Sequence, residues 1–350
     1  MVNQNLQVSI GNLTFKNPLI CGSGEHLMES KSIEDALSAG AAAVVAKSTN
    51  ESDDAKKQLN RADYAKIGHD FTKYQWEEKT VDQPSLFCRS GLIEMDAKEW
   101  LDVVATVDSL AKKSNAYVVA SLIPGKKDSL IELAGTAQQL GIRILELNVS
   151  APHGKEMNSH IHLEQQSSGV FELVKAVREV YHGDLWAKIT GMTNDVPDLC
   201  QAAKNAGADA TVMTGRFLAM IPDLDTMNPV LGTNGAYGGR WALPITCRNI
   251  AESRHLVGKD YQLIGTNGAR DGLDIARMML AGASAVEMTS SIFTGGSGVI
   301  KSSLDQLQSY LNKKNISASE IIGIVADKVQ SYDEQLDQPG YWKQFINIDK

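Results

Sequence analysis

A chain of 350 residues, 43% of them apolar, can bury a large core, either as two ordinary domains or as one α/β barrel with insertions. The formal net charge of −8 speaks against general nucleic-acid binding and against an anionic membrane surface, and no apolar run is long enough for a membrane span. Cys21, Cys88, Cys200 and Cys247 lie far apart with no CxxC pair. No zinc or iron–sulfur motif is evident, no metal is expected, and a reduced, cytoplasmic setting is. The polar, alternating start MVNQNLQVSIGN does not read as a signal peptide.

Residues 6–16 (LQVSIGNLTFK) alternate around Gly11-Asn12 and predict a β-hairpin, the segment 1–17 being placed to plug the bottom of a barrel. A repeated unit follows. Buried-strand runs are expected at 18–24, 41–48, 117–123, 143–150, 185–191, 208–215, 261–268 and 284–291. Helices are expected at 33–39, 129–140, 169–180, 196–206, 271–281 and 298–311. Strands alternating with helices give a parallel sheet with right-handed crossovers. Two features favour a (β/α)8 TIM barrel over a doubly wound sheet. There are eight units, and the Gly-rich and hydroxyl-rich turns fall after the last two strands, where barrels hold phosphate. Gly22-Ser23-Gly24 is too short a match to a dinucleotide fingerprint.

The chain is read as one domain, 1–350, with three long connections that leave C-terminal strand ends. These are a lid-like insertion at 49–87, a loop at 152–167, and a loop after strand six at 216–237. Connections of this length are usually functional lids. His160 and His162 lack a third metal ligand and read as lid surface. The tail 339–350 is expected to be a surface or interface segment.

The strand ends bring polar side chains to one face: Ser23, Lys47, Ser48, Asn148, Ser150, Lys188, Thr190, Thr214 and Gly215. Lys47 and Lys188 carry most information, because an ammonium at the end of an apolar strand must meet a polar pocket or a partner carboxylate. The plain alternative is a salt bridge to a neighbour such as Glu146.

In order along the chain, KNPLICGSG, GAAAVVAKS, ELNVSAPHG, WAKIT, NAGADATVMTG, AYGGRWALP, LIGTNGARDG and LAGASAVEMTSS resemble the FMN-dependent dihydroorotate dehydrogenase family. Within it they are most similar to the flavin domain of the dihydropyrimidine dehydrogenases. The match covers nearly the whole chain. The resemblance implies bound FMN, with its 5′-phosphate held by Gly268, Thr289 and Ser290, and Asn267 alongside. It implies that Ser23, Gly24, Lys47 and Ser48 line the ring and ribityl chain. Asn148 and Lys188 would bond the ring's polar edge, where a lysine stabilises negative charge on reduced flavin. Gly238 and Gly239 would lie against the cofactor.

Departures from the family bear on the chemistry. Its proton-transferring Cys or Ser sits in N-x-S-[C/S]-P, which here reads Asn148-Val149-Ser150-Ala151-Pro152, and a methyl group moves no proton. His153, two residues on, is the best candidate acid/base, with Ser150, Cys88 and Tyr237 behind it. Amides that hold pyrimidine in the family are replaced by Cys88 or Arg89 and by Gly215-Arg216. Guanidinium forks match carboxylate oxygens, so an anionic small substrate clamped by Arg216, with Arg89 assisting, is expected.

Three readings follow. The first is an FMN oxidoreductase exchanging hydride between flavin N5 and a small anion. The second is a dihydroorotate or dihydropyrimidine dehydrogenase of pyrimidine metabolism. The third is an FMN- or phosphate-binding barrel with a non-redox or regulatory role. A homodimer and a separate electron acceptor or partner protein fit each of the first two.

Overall fold

The computed structural model describes residues 4–78, 84–150, 166–215 and 217–346. Eight short parallel strands close into a barrel: β1 (Leu19–Cys21), β2 (Ala43–Val45), β3 (Tyr117–Leu122), β4 (Ile144–Asn148), β5 (Asp184–Lys188), β6 (Ala210–Met213), β7 (Gln262–Thr266) and β8 (Ala285–Met288). Closure is made by β8 pairing with β1, Val286 opposite Leu19 and Met288 opposite Cys21. The strands are almost wholly buried, as expected of a parallel sheet covered by helices outside and filled by side chains inside. The predicted (β/α)8 barrel is therefore the observed one.

Six helices fall where periodicity placed them: α1 (Ser30–Ser38), α3 (Lys127–Gln139), α4 (Ser167–Arg178), α5 (Val196–Asn205), α7 (Gly272–Leu280) and α8 (Gly298–Lys314). Two more, α2 (Ala97–Ala111) and α6 (Leu243–Val257), were not assigned from sequence. The signal for α2 was present. Asp96 accepts hydrogen bonds from Lys98 N and Glu99 N as an N-cap, and Trp100, Leu101, Val104, Val107 and Ala111 form its buried stripe.

The hairpin Val8–Ile10 with Leu13–Phe15 seals the N-terminal end of the barrel. Phe15 is fully buried, with its ring centroid 4.6 Å from Tyr117 and 6.0 Å from Trp186. Tyr117 Oη donates to Thr14 O at 3.1 Å, and Gly11 N donates to Gln262 Oε1 at 3.3 Å. Emptying the Phe15 site would cost about 3–5 kcal/mol. With the bottom sealed, the barrel opens at its C-terminal mouth.

Over that mouth lies a feature absent from the sequence reading. Strand Ser85–Arg89 pairs antiparallel with Asp63–Ile67 on one side and with Gly235–Gly238 on the other. Lys73–Tyr74 and Leu218–Ala219 extend it to five strands. Insertions separated by more than a hundred residues thus form one sheet, with Phe87, Ile67, Ala65, Ile221 and Leu231 as its small core. No local pattern reveals a sheet assembled from two distant loops. Beyond α8, residues 330–346 are exposed along their length, as expected for the tail.

Candidate active site at the barrel mouth

A cleft between the barrel mouth and the lid sheet gathers strand-end residues from around the ring. Ser23 and Gly24 come from the turn after β1, Lys47 and Ser48 from after β2, and Asn148 and Ser150 from β4 and its end. Lys188 ends β5, and Thr214 and Gly215 follow β6. Asn267 and Gly268 follow β7, and Thr289 and Ser290 follow β8. The lid contributes Tyr64, Leu86, Cys88, Tyr237 and Gly238. Side chains alternate along Ser85–Arg89, so that Cys88 lines the cleft and Arg89 does not.

Arg89 therefore needs correcting. Its Nε donates to Arg61 O at 3.0 Å, its Nη1 donates to Leu231 O, and Asp63 Oδ2 lies 3.6 Å from Nη2. Those bonds tie the two halves of the lid together, and the side chain does not border the cleft. Gly239 lies outside this cleft but lines a recess beside Ser290, and a Cβ there would come within 2.3 Å of Ser85 Oγ. Gly238 does border the cleft, and a Cβ there would find only Asn267 Oδ1 at 3.5 Å and Ser290 beyond it. Protein packing does not demand glycine at 238; a side chain would fill the cleft instead. Ala151, His153 and Arg216 lie outside the described residues, as do His160 and His162.

Both strand-end lysines are paired, as the plain alternative required. Lys47 Nζ sits 3.1 Å from Glu25 Oε1. Burial alone would raise the Glu25 pKa, but the ammonium and its hydrogen bond overcome this and hold it below the usual carboxylate range. Lys188 Nζ donates to Glu287 Oε1 and lies 3.6 Å from Glu146 Oε2. Burial opposes the Lys188 charge, yet the two carboxylates win and raise its pKa. Glu146 is pushed up to about 7, by burial first and by the Glu287 charge, against the pull of Lys188. Neither Glu25 nor Glu287 was singled out in the sequence. Glu25 follows the KNPLICGSG run by one residue and Glu287 lies within LAGASAVEMTSS, and only folding shows which carboxylate faces which lysine.

The hydrogen-bond donors are oriented. Asn148 Oδ1 accepts from Ser150 N at 3.1 Å and from Ser150 Oγ at 2.6 Å, which fixes the amide and leaves Nδ2 as a donor. Asn267 adopts a left-handed backbone, φ 71°, with Nδ2 donating to Gly215 O at 3.3 Å. Gly268 has φ 119°, and a Cβ there would meet Leu243 N at 2.5 Å, so only glycine lets the β7 turn pass against the start of α6. His26, beneath Gly24, is lowered to about 4, chiefly by burial, and stays neutral.

Beside Ser290, a second recess is lined by Arg240, Ala269, Arg270 and Ser291, where the β7 and β8 turns meet. Arg270 Nη2 donates to Asp271 Oδ2 at 2.6 Å, whereas its buried Nη1 has no partner. A buried guanidinium donor left unsatisfied is costly, and a phosphate dianion would satisfy it. The residues present thus fit FMN: an orphaned cationic donor at the phosphate end, a glycine-walled slot, and amide and ammonium donors at the deep end. Arg270 was missed although it follows Gly268 by two residues, because an Arg in a turn reads as surface. Among the described residues no group of three or more His, Cys, Asp or Glu could hold a metal, and no helix is long and apolar enough to cross a membrane.

The sequence pattern of the family described as dihydroorotate dehydrogenase matches residues 5–311. The dihydroorotate dehydrogenase B (NAD(+)), catalytic subunit, of Pyrococcus furiosus is 29% identical over 330 residues, covering 93% of this chain and 100% of that protein. The protein of the same name from Methanocaldococcus jannaschii is 25% identical over 321 residues, 91% of this chain and 97% of that one. The chain belongs to the dihydroorotate dehydrogenase family and is an FMN-dependent oxidoreductase acting on a CH–CH group.

Proposed function

We propose that the barrel-mouth cleft exchanges hydride between flavin N5 and a small carboxylic acid of the dihydroorotate kind. Bound FMN supplies the hydride acceptor and the electron store. The observation that carries the reading is the meeting of two unlike surfaces. Strand ends offer fixed donors at Asn148 Nδ2 and Lys188 Nζ, and the lid side offers Leu86, Tyr64, Tyr237 and Phe293. A planar heterocycle matches such a slot, polar along one edge and apolar on its faces. In this proposal Ser23, Gly24, Lys47, Ser48 and Gly238 line the cofactor. Gly268, Thr289, Ser290 and Arg270 receive its phosphate, with Asn267 alongside.

Arg216 is kept as the proposed clamp for the substrate carboxylate, with Cys88 and Asn148 against the substrate ring. Arg89 leaves the proposal, since its donors are engaged within the lid. His153 is kept as the proposed acid/base in place of the family's Cys or Ser. Ser150 is less suited, because its hydroxyl is committed to Asn148 at 2.6 Å. The relatives' designation as catalytic subunits of an NAD(+) enzyme supports a separate electron-transferring partner. A homodimer, a cytoplasmic setting and a single domain capped by its lid belong to the same proposal.

An anaerobic screen of acids against the oxidised protein, followed at the flavin band, tests the reading. Bleaching by dihydroorotate supports pyrimidine metabolism, and bleaching by dihydrouracil moves the assignment to the dihydropyrimidines. Bleaching by a different acid keeps the chemistry and changes the substrate. No bleaching by any acid overturns hydride exchange in this cleft.

A further inference from the structure

The barrel interior holds one ammonium and two carboxylates. Glu146 and Glu287 are 0% and 1% exposed, and Lys188 lies between them. Glu146 Oε2 and Glu287 Oε2 each lack a hydrogen-bond partner. With every group ionised, the trio would carry one unneutralised negative charge at the buried floor of the cleft, at a cost of several kcal/mol. Among the described residues no other cation is paired with it. From β1 the neighbour is the Cys21 thiol, kept protonated by burial and by Glu287, with neutral His26 Nε2 3.6 Å from its sulfur. From β3 the neighbour is the Ser121 hydroxyl, and from β7 it is Thr266, which bonds the backbone at Glu287 O. One proton on the carboxyl pair neutralises the trio.

That proton has a route out. Ser121 Oγ lies 2.9 Å from Glu146 Oε1, Ser48 Oγ lies 2.9 Å from Ser121 Oγ, and Ser23 Oγ lies 3.3 Å from Ser48 Oγ. Ser23 and Ser48 line the cleft. Three hydroxyls in series, each both donor and acceptor, join a buried carboxyl to the ligand space.

We propose that Glu146 holds one proton beside Lys188 and Glu287, and that Ser121, Ser48 and Ser23 pass it to and from the cleft. Outward, Glu146 Oε1 gives its proton to Ser121 Oγ as Ser121 gives its own to Ser48, Ser48 to Ser23, and Ser23 to the acceptor in the cleft. Three O–H bonds break and re-form along the chain, and one carboxylate is left behind. The proton compensates the negative charge that two electrons bring to the cleft during the family reaction, and it returns when they leave. A carboxyl near 7 suits a group that must give and take a proton at neutral pH. The inference rests on the cleft being the flavin site only for what the proton compensates; the buried proton itself does not depend on it.

Infrared spectroscopy of the resting protein at pH 6, with and without flavin, reads the carbonyl stretch of a protonated carboxylic acid. Beyond the contribution of Asp184, which titrates near 6, a band should be present in the wild type and absent from both Glu146→Gln and Glu287→Gln, since either change leaves one carboxylate for one ammonium. A band unchanged by Glu146→Gln would overturn the assignment of the proton. Ser121→Ala should keep the band but slow its change on photoreduction of bound flavin by about tenfold or more. Ser121→Thr should restore the rate. No band in the wild type, or a Ser121→Ala response as fast as wild type, overturns the relay. Failure to retain FMN would instead overturn the proposed function, and it is read separately from the flavin absorbance.

Discussion

Lys47 Nζ lies 3.1 Å from Glu25 Oε1, and the two side chains line the cleft from turns after different strands. Trp100 of α2 donates from Nε1 to Lys47 O at 2.7 Å and so fixes the lysine backbone from behind. Replacing Lys47 by Met would strand a mostly buried carboxylate. The expected loss is about 3 kcal/mol by denaturant unfolding, with most of it recovered in the Lys47→Met, Glu25→Gln double variant. If the double variant is no more stable than the single one, the two groups are not coupled.

Arg270 should separate phosphate recognition from ring recognition. Arg270→Gln removes the unpaired Nη1 donor and should weaken FMN by about 1.5–3 kcal/mol, roughly tenfold to a hundredfold, while riboflavin binding changes little. Titrating both flavins into the flavin-free protein by fluorescence quenching checks this. Equal losses for the two would show that Arg270 shapes the turn and does not bind phosphate.

His26 predicts a pH window. Folded His26 titrates near 4, its imidazolium disfavoured first by burial, against an ordinary value of 6.5. Between those values the unfolded chain binds more proton, so this group makes stability rise with pH from about 4 to 6.5 and stay level above. Glu146, near 7, and Asp184, near 6, bind protons more tightly when folded and slope the other way. The observable is therefore the difference between wild type and His26→Asn. It should grow over that window and be flat above it, as measured by urea midpoints at several pH values.

Away from the mouth, Asp108 is a buried polar position held by several donors. It accepts from Arg143 Nη2 at 2.6 Å, from Arg143 Nε at 2.9 Å and from Val118 N at 2.8 Å. Asp108→Ala should cost about 3–5 kcal/mol by leaving a guanidinium and a strand N–H unsatisfied, and Asp108→Asn distinctly less. Flavin content per folded molecule should be unchanged in both. A fall in that ratio would mean the bottom half of the barrel communicates with the mouth.

Sequence alone determined what depends on local pattern. Strand runs, six of the helices and the hairpin follow from periodicity and Gly-Asn turn chemistry, because each element buries a face set by its own residues. The barrel followed from counting units, and the polar mouth from where the strands end. Only the tertiary structure decided which charges meet. Glu146 was the carboxylate partner named in advance, but Lys47 found Glu25 and Lys188 found Glu287 through pairings across 22 and 99 residues, distances over which sequence carries no contact information. The lid sheet formed from two insertions for the same reason, and strand alternation within it turned Cys88 toward the cleft and Arg89 away. Local sequence fixes the side chains a strand end presents; the closure of the ring and the lid above it fixes their partners.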